Sequence, residues 1–310
     1  MIWWIISAIL FVALAVTVGY YIFYYRFTFS RGSKQSVEIP HPSSPEYEKL
    51  FEEIDLAKAG FRALKTKDLY VTSHDGLRLH GSYLETDGAD KLIIMFHGYR
   101  SKPEVDFSCA AEFYQSEGFN VLFVDQRSHG LSEGTQITFG VKERYDVCTW
   151  VEYMRNELRD GTKIYISGMS MGATTVMMAS SMVNGVSGII ADCGFVSPRE
   201  IIQKVAKENM HMPSWITAPI GWLARIFGGF DYSVSTINSL SNSNIPIVFI
   251  HGKGDDFVPY QMSERNYEAS KSSNKRLILV DRAAHGFSYL FEKERYQTEI
   301  RNFIRETSQN

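Results

Sequence analysis

Apolar residues fall into three patterns along the chain: one uninterrupted run, one amphipathic stretch, and a long alternation of apolar runs with amphipathic segments. The uninterrupted run comes first. Residues 2–25 carry no charged side chain, with Trp3 and Trp4 at one end and Tyr20, Tyr21, Tyr24 and Tyr25 at the other. A helix rises about 1.5 Å per residue, so some twenty residues cross a hydrocarbon layer of roughly 30 Å, and aromatic rings favour its two interfaces. The pattern predicts one membrane-spanning helix over residues 1–26. A cleaved leader would need a basic start, a shorter apolar centre and a small-residue cleavage site. Here no Lys or Arg precedes the run, and Ala13-Leu14-Ala15 is followed by further uncharged, mostly apolar sequence up to Tyr25. The first basic residues, Arg26, Arg31 and Lys34, follow the run. The positive-inside tendency then places the large C-terminal portion in the cytoplasm, on a single-pass cell-membrane anchor.

Residues 27–45, rich in Ser, Pro and polar side chains, read as a linker. Beyond it, Tyr47, Leu50, Phe51, Ile54 and Ala57 recur at helical spacing, with Pro45 at the start and Gly60 at the end, so a helix packing on the domain is expected.

The alternation begins at Leu69. Residues 69–72 and 77–84 read as strands around the turn signal His74-Asp75-Gly76. Strand-like runs follow at 92–96, 120–124, 163–166, 188–191, 247–250 and 277–280. Helical patterns separate them near 104–117 and 141–158, directly after 166, near 261–269, and from Phe287 onward. Continuous apolar strands between amphipathic helices predict an α/β domain over residues 46–310, with a mostly parallel sheet covered by helices on both faces. Functional groups in such sheets gather beyond the carboxyl ends of the strands. The interruption at about 195–244 contains Met210, Met212, Trp215, Trp222, Phe227 and Phe230. It predicts a small helical cap over those strand ends, whose Met and aromatic content would build an apolar pocket.

Composition narrows the classes. A 310-residue chain that is 45% hydrophobic can bury a full-sized core, and a net charge of -3 makes no electrostatic case for nucleic acid. Cys109, Cys148 and Cys193 are widely spaced and odd in number, which suggests buried thiols rather than disulfides or a zinc site. No His/Asp/Glu set has metal-ligand spacing and no Gly-rich phosphate loop appears, so neither metal nor cofactor is expected. Nothing in the sequence sets an oligomeric state.

Candidate chemistry centres on Gly168-Met-Ser170-Met-Gly172, between a strand and a helix. A serine at the tip of so tight a turn needs neighbours without side chains, and a helix N-terminus beside it favours developing negative charge. A serine is a poor nucleophile without a base, and the base needs an acid to orient it. Downstream, Asp255 lies in the loop after one strand and His285 in the loop after the next, with Asp256 and Asp192 as alternative acids. Met171 and Tyr99, the latter in Phe96-His97-Gly98-Tyr99, are the expected backbone donors to an oxyanion. His97, His129 and His251 read as loop architecture, while His41, His74, His80 and His211 show no partner pattern.

Taken in order, His97-Gly98-Tyr99, Asp125-Gln-Arg-Ser-His-Gly, Gly168-Met-Ser-Met-Gly, His251-Gly-Lys-Gly-Asp255-Asp-Phe-Val-Pro and Ala284-His285-Gly resemble the α/β-hydrolase superfamily. Within it they resemble the membrane-anchored, serine-aminopeptidase-like (S33-type) and BEM46-like branch. The resemblance runs from about Leu69 to the C-terminus. It implies an α/β-hydrolase fold, a catalytic Ser170, Asp255 and His285, a small-molecule acyl substrate and no cofactor. The expected activity is that of a carboxylesterase, with amide or peptide hydrolysis and thioester hydrolysis as alternatives. A membrane-tethered binding protein on the same fold is the non-enzymatic reading, against which the complete Ser/Asp/His set weighs.

Overall fold

The structure, a computed structural model, describes residues 1–31, 44–208, 211 and 213–308. Most of the expected linker, together with Met210 and Met212 of the expected cap, lies outside the described residues. The chain opens with α1 (Ile2–Phe29) and α2 (Pro45–Arg62). The hairpin β1 (Lys67–Thr72) and β2 (Arg78–Leu84) follows, then β3 (Lys91–Phe96), α3 (Pro103–Ser116), β4 (Phe119–Asp125), α4 (Glu143–Glu157), β5 (Lys163–Met169), α5 (Met171–Ala179) and β6 (Gly188–Asp192). After β6 come α6 (Pro198–Glu208), a 3₁₀ turn (Ser214–Thr217), α7 (Ala218–Leu223), a π turn (Ala224–Gly228) and α8 (Thr236–Leu240). The chain closes with β7 (Ile247–Gly252), α9 (Gln261–Ala269), β8 (Lys275–Val280), α10 (Ser288–Phe291) and α11 (Lys293–Ser308).

The strands form one eight-stranded sheet in the order β1-β2-β4-β3-β5-β6-β7-β8. β1 and β2 pair antiparallel, β2 pairs antiparallel with β4, and every later pairing is parallel. The parallel strands are buried on both faces, which is why β3 through β7 read as unbroken apolar runs instead of alternating ones. One core layer gathers Val147, Trp150, Val176 and Phe249. The other gathers Phe107, Tyr114, Ile300 and Phe303.

A third cluster is built differently. It joins Phe139, Met171, Phe195, Ile201, Ile220 and Phe230 to Tyr24, Tyr25 and Phe29 of α1. The expected end of the apolar helix at residue 26 is therefore three residues early: the helix continues to Phe29 because its last turn is buried. The residues before that turn are exposed almost throughout, and the helix is long and apolar enough to cross a membrane. The cap is also smaller than 195–244, since α8 belongs to the helix layer beside α5 and α9, with Leu240 in the sheet core.

Candidate active site

The sharp turn between β5 and α5 has Ser170 at its tip. It holds φ 54° and ψ -114°, a conformation non-glycine residues rarely adopt, and its N–H donates to the Asp192 carbonyl at 2.8 Å. The flanking glycines make the turn possible. A Cβ on Gly172 would overlap the Phe96 carbonyl, and one on Gly168 would overlap the backbone of Gly172 itself. The steric expectation drawn from Gly-x-Ser-x-Gly thus has atoms behind it.

From Ser170 a continuous hydrogen-bonded line runs inward. Ser170 Oγ lies 2.9 Å from His285 Nε2, and His285 Nδ1 lies 2.6 Å from Asp255 Oδ2. Since the carboxylate accepts from Nδ1–H, Nε2 is left free to accept from the serine hydroxyl. All three side chains are buried. Asp255 Oδ1 accepts from the Phe257 and Val258 amides at 2.9 and 2.7 Å. Burial alone would raise the Asp255 pKa, but the charge of His285 and hydrogen bonds from His251 and His285 outweigh it and hold the carboxyl well below its usual range.

The two alternative acids are placed elsewhere. Asp256 is exposed, and its carbonyl accepts from Lys204. Asp192 gives its backbone carbonyl to Ser170, while burial pushes its own carboxyl up to about 7.

His251 does more than shape its loop. Its Nε2–H is shared between Asp255 Oδ2 at 3.0 Å and the Val258 carbonyl at 2.8 Å, and its Nδ1 accepts from Ser263 Oγ at 2.7 Å. This second imidazole helps to hold the carboxylate that faces His285. The Asp-four-residues-after-His spacing was legible, but nothing in it distinguishes a supporting histidine from a turn residue. Tyr47 of α2 is a further contributor that the sequence did not single out. Its hydroxyl donates to the Arg282 carbonyl at 3.1 Å and accepts from the Ala284 amide at 2.9 Å, which pins the loop that presents His285.

The proposed oxyanion donors are arranged by exclusion. Gly98 N–H is taken by Asp106 Oδ2 at 2.6 Å and Arg100 N–H by His129 Nε2 at 3.1 Å. Between them Tyr99 N–H, and at the start of α5 Met171 N–H, donate to nothing among the described residues. His97 braces this loop. Its Nδ1–H donates to the Gly98 carbonyl at 2.8 Å, its Nε2 accepts from the Gln126 amide at 3.2 Å, and burial lowers its pKa to about 3, so it stays neutral.

Tyr99 also faces α1. Its hydroxyl donates to the Thr28 carbonyl at 2.8 Å, and Arg100 Nη2 donates to the Phe27 carbonyl at 2.5 Å. The last carbonyls of a helix lack partners within it, and here Tyr99 and Arg100 supply them. Tyr25 and Phe29 meanwhile fill the apolar interior of the cap, which the sequence suggested as a pocket. The cavity that reaches His285 lies on the other side, between α2, α3 and α10. It encloses about 460 Å³, walled by Phe51, Ile54, Met95, Phe107 and Leu290, with Asp106 and Asp192 deeper inside. Cys193 Sγ stands 3.9 Å from His285 Nε2 and is a buried thiol, raised well above its usual pKa by burial.

The arrangement can therefore activate a hydroxyl, carry its proton, and stabilise charge on an oxygen beside it. Comparison with known proteins agrees with the architecture. A family profile described as "Serine aminopeptidase, S33" matches residues 87–230, which include the Ser170 turn; Asp255 and His285 follow it. YqkD of Bacillus subtilis (strain 168) is 27% identical over 248 residues, covering 79% of this chain and 81% of that protein. Bem46 of Schizosaccharomyces pombe is 23% identical over 288 residues, covering 92% of this chain and 86% of its own. The solved structure of the Pyrococcus furiosus esterase Pf2001 has the same fold, with a TM-score of 0.66 and 23% identity over 88% of this chain and 97% of that one. With the eight-stranded sheet, the strained serine turn and these relatives together, the chain has the α/β-hydrolase fold and is similar to S33-type, BEM46-like hydrolases.

Proposed function

We propose that the chain is a membrane-anchored serine hydrolase that cleaves acyl esters through an acyl-serine intermediate. The observation that carries this reading is the unbroken line Ser170 Oγ–His285–Asp255, at 2.9 and 2.6 Å, beside two uncommitted backbone amides. Ser170 Oγ attacks the acyl carbonyl carbon while its proton passes to His285 Nε2. Asp255 stabilises the imidazolium, and Tyr99 and Met171 N–H groups receive the oxyanion. As the tetrahedral intermediate collapses, His285 returns the proton to the departing alkoxide. Water, deprotonated by the same imidazole, then releases the acid and regenerates the serine. The apolar outer wall of the α2/α3/α10 cavity suits a short or medium acyl chain. The exposed length of α1 serves as the anchor, with the hydrolase domain on the cytoplasmic side.

A fluorophosphonate probe applied to the full chain in detergent tests the reading. Labelling that disappears in Ser170→Ala supports it; a folded parent chain that does not label refutes it. A series of p-nitrophenyl esters tests the pocket, and no preference for longer acyl groups over acetyl would remove the apolar-pocket part.

One observation favours an amide substrate instead. Asp192 Oδ1 is buried without a hydrogen-bond partner and lines the cavity, where it could receive a substrate amine. Aminoacyl anilides hydrolysed faster than matched esters would select this second reading.

A further inference from the structure

Outside α1, seven large apolar side chains are exposed among the described residues: Leu56, Tyr70, Leu131, Trp215, Trp222, Ile226 and Phe227. The last four lie close together in the cap, and Trp222 is 78% exposed. Such a concentration of exposed indole and aliphatic surface on one short segment calls for a partner.

Its position indicates which one. The Phe227 ring lies 6.1 Å from the Tyr25 ring, and Gln136 Nε2 donates both to Tyr25 Oη and to the Phe227 carbonyl. The patch is therefore continuous with the end of the exposed apolar helix. Counting about 1.5 Å per residue from Trp3, a hydrocarbon layer of roughly 30 Å ends near Phe23. That level is next to Tyr24 and Tyr25, and hence next to Phe227.

Charge fits as well. Between Trp215 and Trp222 a groove of about 590 Å³ is lined by Arg199, Arg225 and Asp231. Asp231 pairs with Arg225 at 2.9 Å, which leaves Arg199 as the groove's cation without a side-chain partner among the described residues. Indole rings framing a guanidinium suit the headgroup level, where tryptophan is enriched and phosphate is available.

We infer that Trp215, Trp222, Ile226 and Phe227 are embedded in the interface of the bilayer that α1 crosses, so that cap and helix dock on one lipid surface. This rests on the membrane-spanning reading of α1 given above. The cap surface is then a lipid contact.

The full chain, reconstituted in phosphatidylcholine vesicles with brominated acyl chains, provides the test. Two conservative variant sets divide the five tryptophans, and the buried Trp150 is common to both. The Trp3→Phe/Trp4→Phe chain retains Trp215 and Trp222, and its emission should fall by roughly half against unbrominated vesicles, since interfacial indoles lie within reach of the bromines. The Trp215→Phe/Trp222→Phe chain retains Trp3 and Trp4 and reports on α1. Quenching of α1 tryptophans without quenching of the cap pair overturns the docking and leaves the span intact. Quenching of the cap pair alone overturns the span, and with it the shared lipid surface, and leaves a lipid contact made by the cap by itself. Quenching in neither set overturns both.

Discussion

Among the buried histidines that contact carboxylates, His285 at the candidate site and His80 in the sheet make opposite uses of the contact. His285 has Asp255 on Nδ1 and the Ser170 hydroxyl on Nε2. His80, in β2, has Asp125 on Nδ1 at 2.8 Å and Asp68 on Nε2 at 3.1 Å. Burial opposes charging His80, but hydrogen bonds to Asp125 and Asp68 outweigh it and raise its pKa. An imidazole held protonated between two acids fastens β1 and β2 to the end of β4, and it has no lone pair with which to accept a proton. A carboxylate beside a histidine is therefore an incomplete signature. What occupies the second nitrogen decides whether the group is a base or a clamp.

This contrast can be broken in four places. Ser170→Ala removes the nucleophile and should lower ester hydrolysis by about 10⁴-fold or more, read as kcat on a chromogenic ester, with folding checked by circular dichroism. Asp255→Asn keeps the shape but offers His285 the wrong hydrogen-bonding partner, and a loss of roughly 10³- to 10⁴-fold is expected; a loss under tenfold would shift the acid's role to Asp192. Tyr47→Phe removes the hydroxyl that pins the His285 loop. Losing about 1 kcal/mol of positioning should lower kcat by roughly 3- to 10-fold with little change in KM.

The smallest catalytic effect belongs to His80→Asn, which should leave kcat within about threefold, because no part of the cluster faces the substrate. Its signature is in stability. A histidine whose folded pKa is raised stabilises fully below its unfolded value near 6.5 and loses that contribution as pH rises through the folded value. The gap in thermal midpoint between parent and His80→Asn should thus be wide at pH 6 and narrow towards pH 9. A gap that stays constant across that range would mean that His80 is not the charged clamp described.

The candidate site was largely legible because its constraints are local. The strand-to-helix turn around Ser170 demands Gly168 and Gly172 through backbone sterics, and Asp255 and His285 each sit a few residues beyond an apolar, strand-forming run. His251, Tyr47 and His80 were not legible. Their roles depend on residues 4, 237 and 45 positions away that meet them only after the loops and sheet close.

The same division explains α1. Apolar length determined that residues 2–25 form a helix able to span a membrane, and the alternation beyond Leu69 determined a parallel sheet with helices on both faces. Burial of an aromatic side chain has no preferred partner, however, because the hydrophobic effect is non-directional. Tyr24 and Tyr25 suit a lipid interface as well as a protein interior. Only the tertiary structure placed them, with Phe29, in the cap against Tyr99, and so moved the cavity beside His285 to the α2 side.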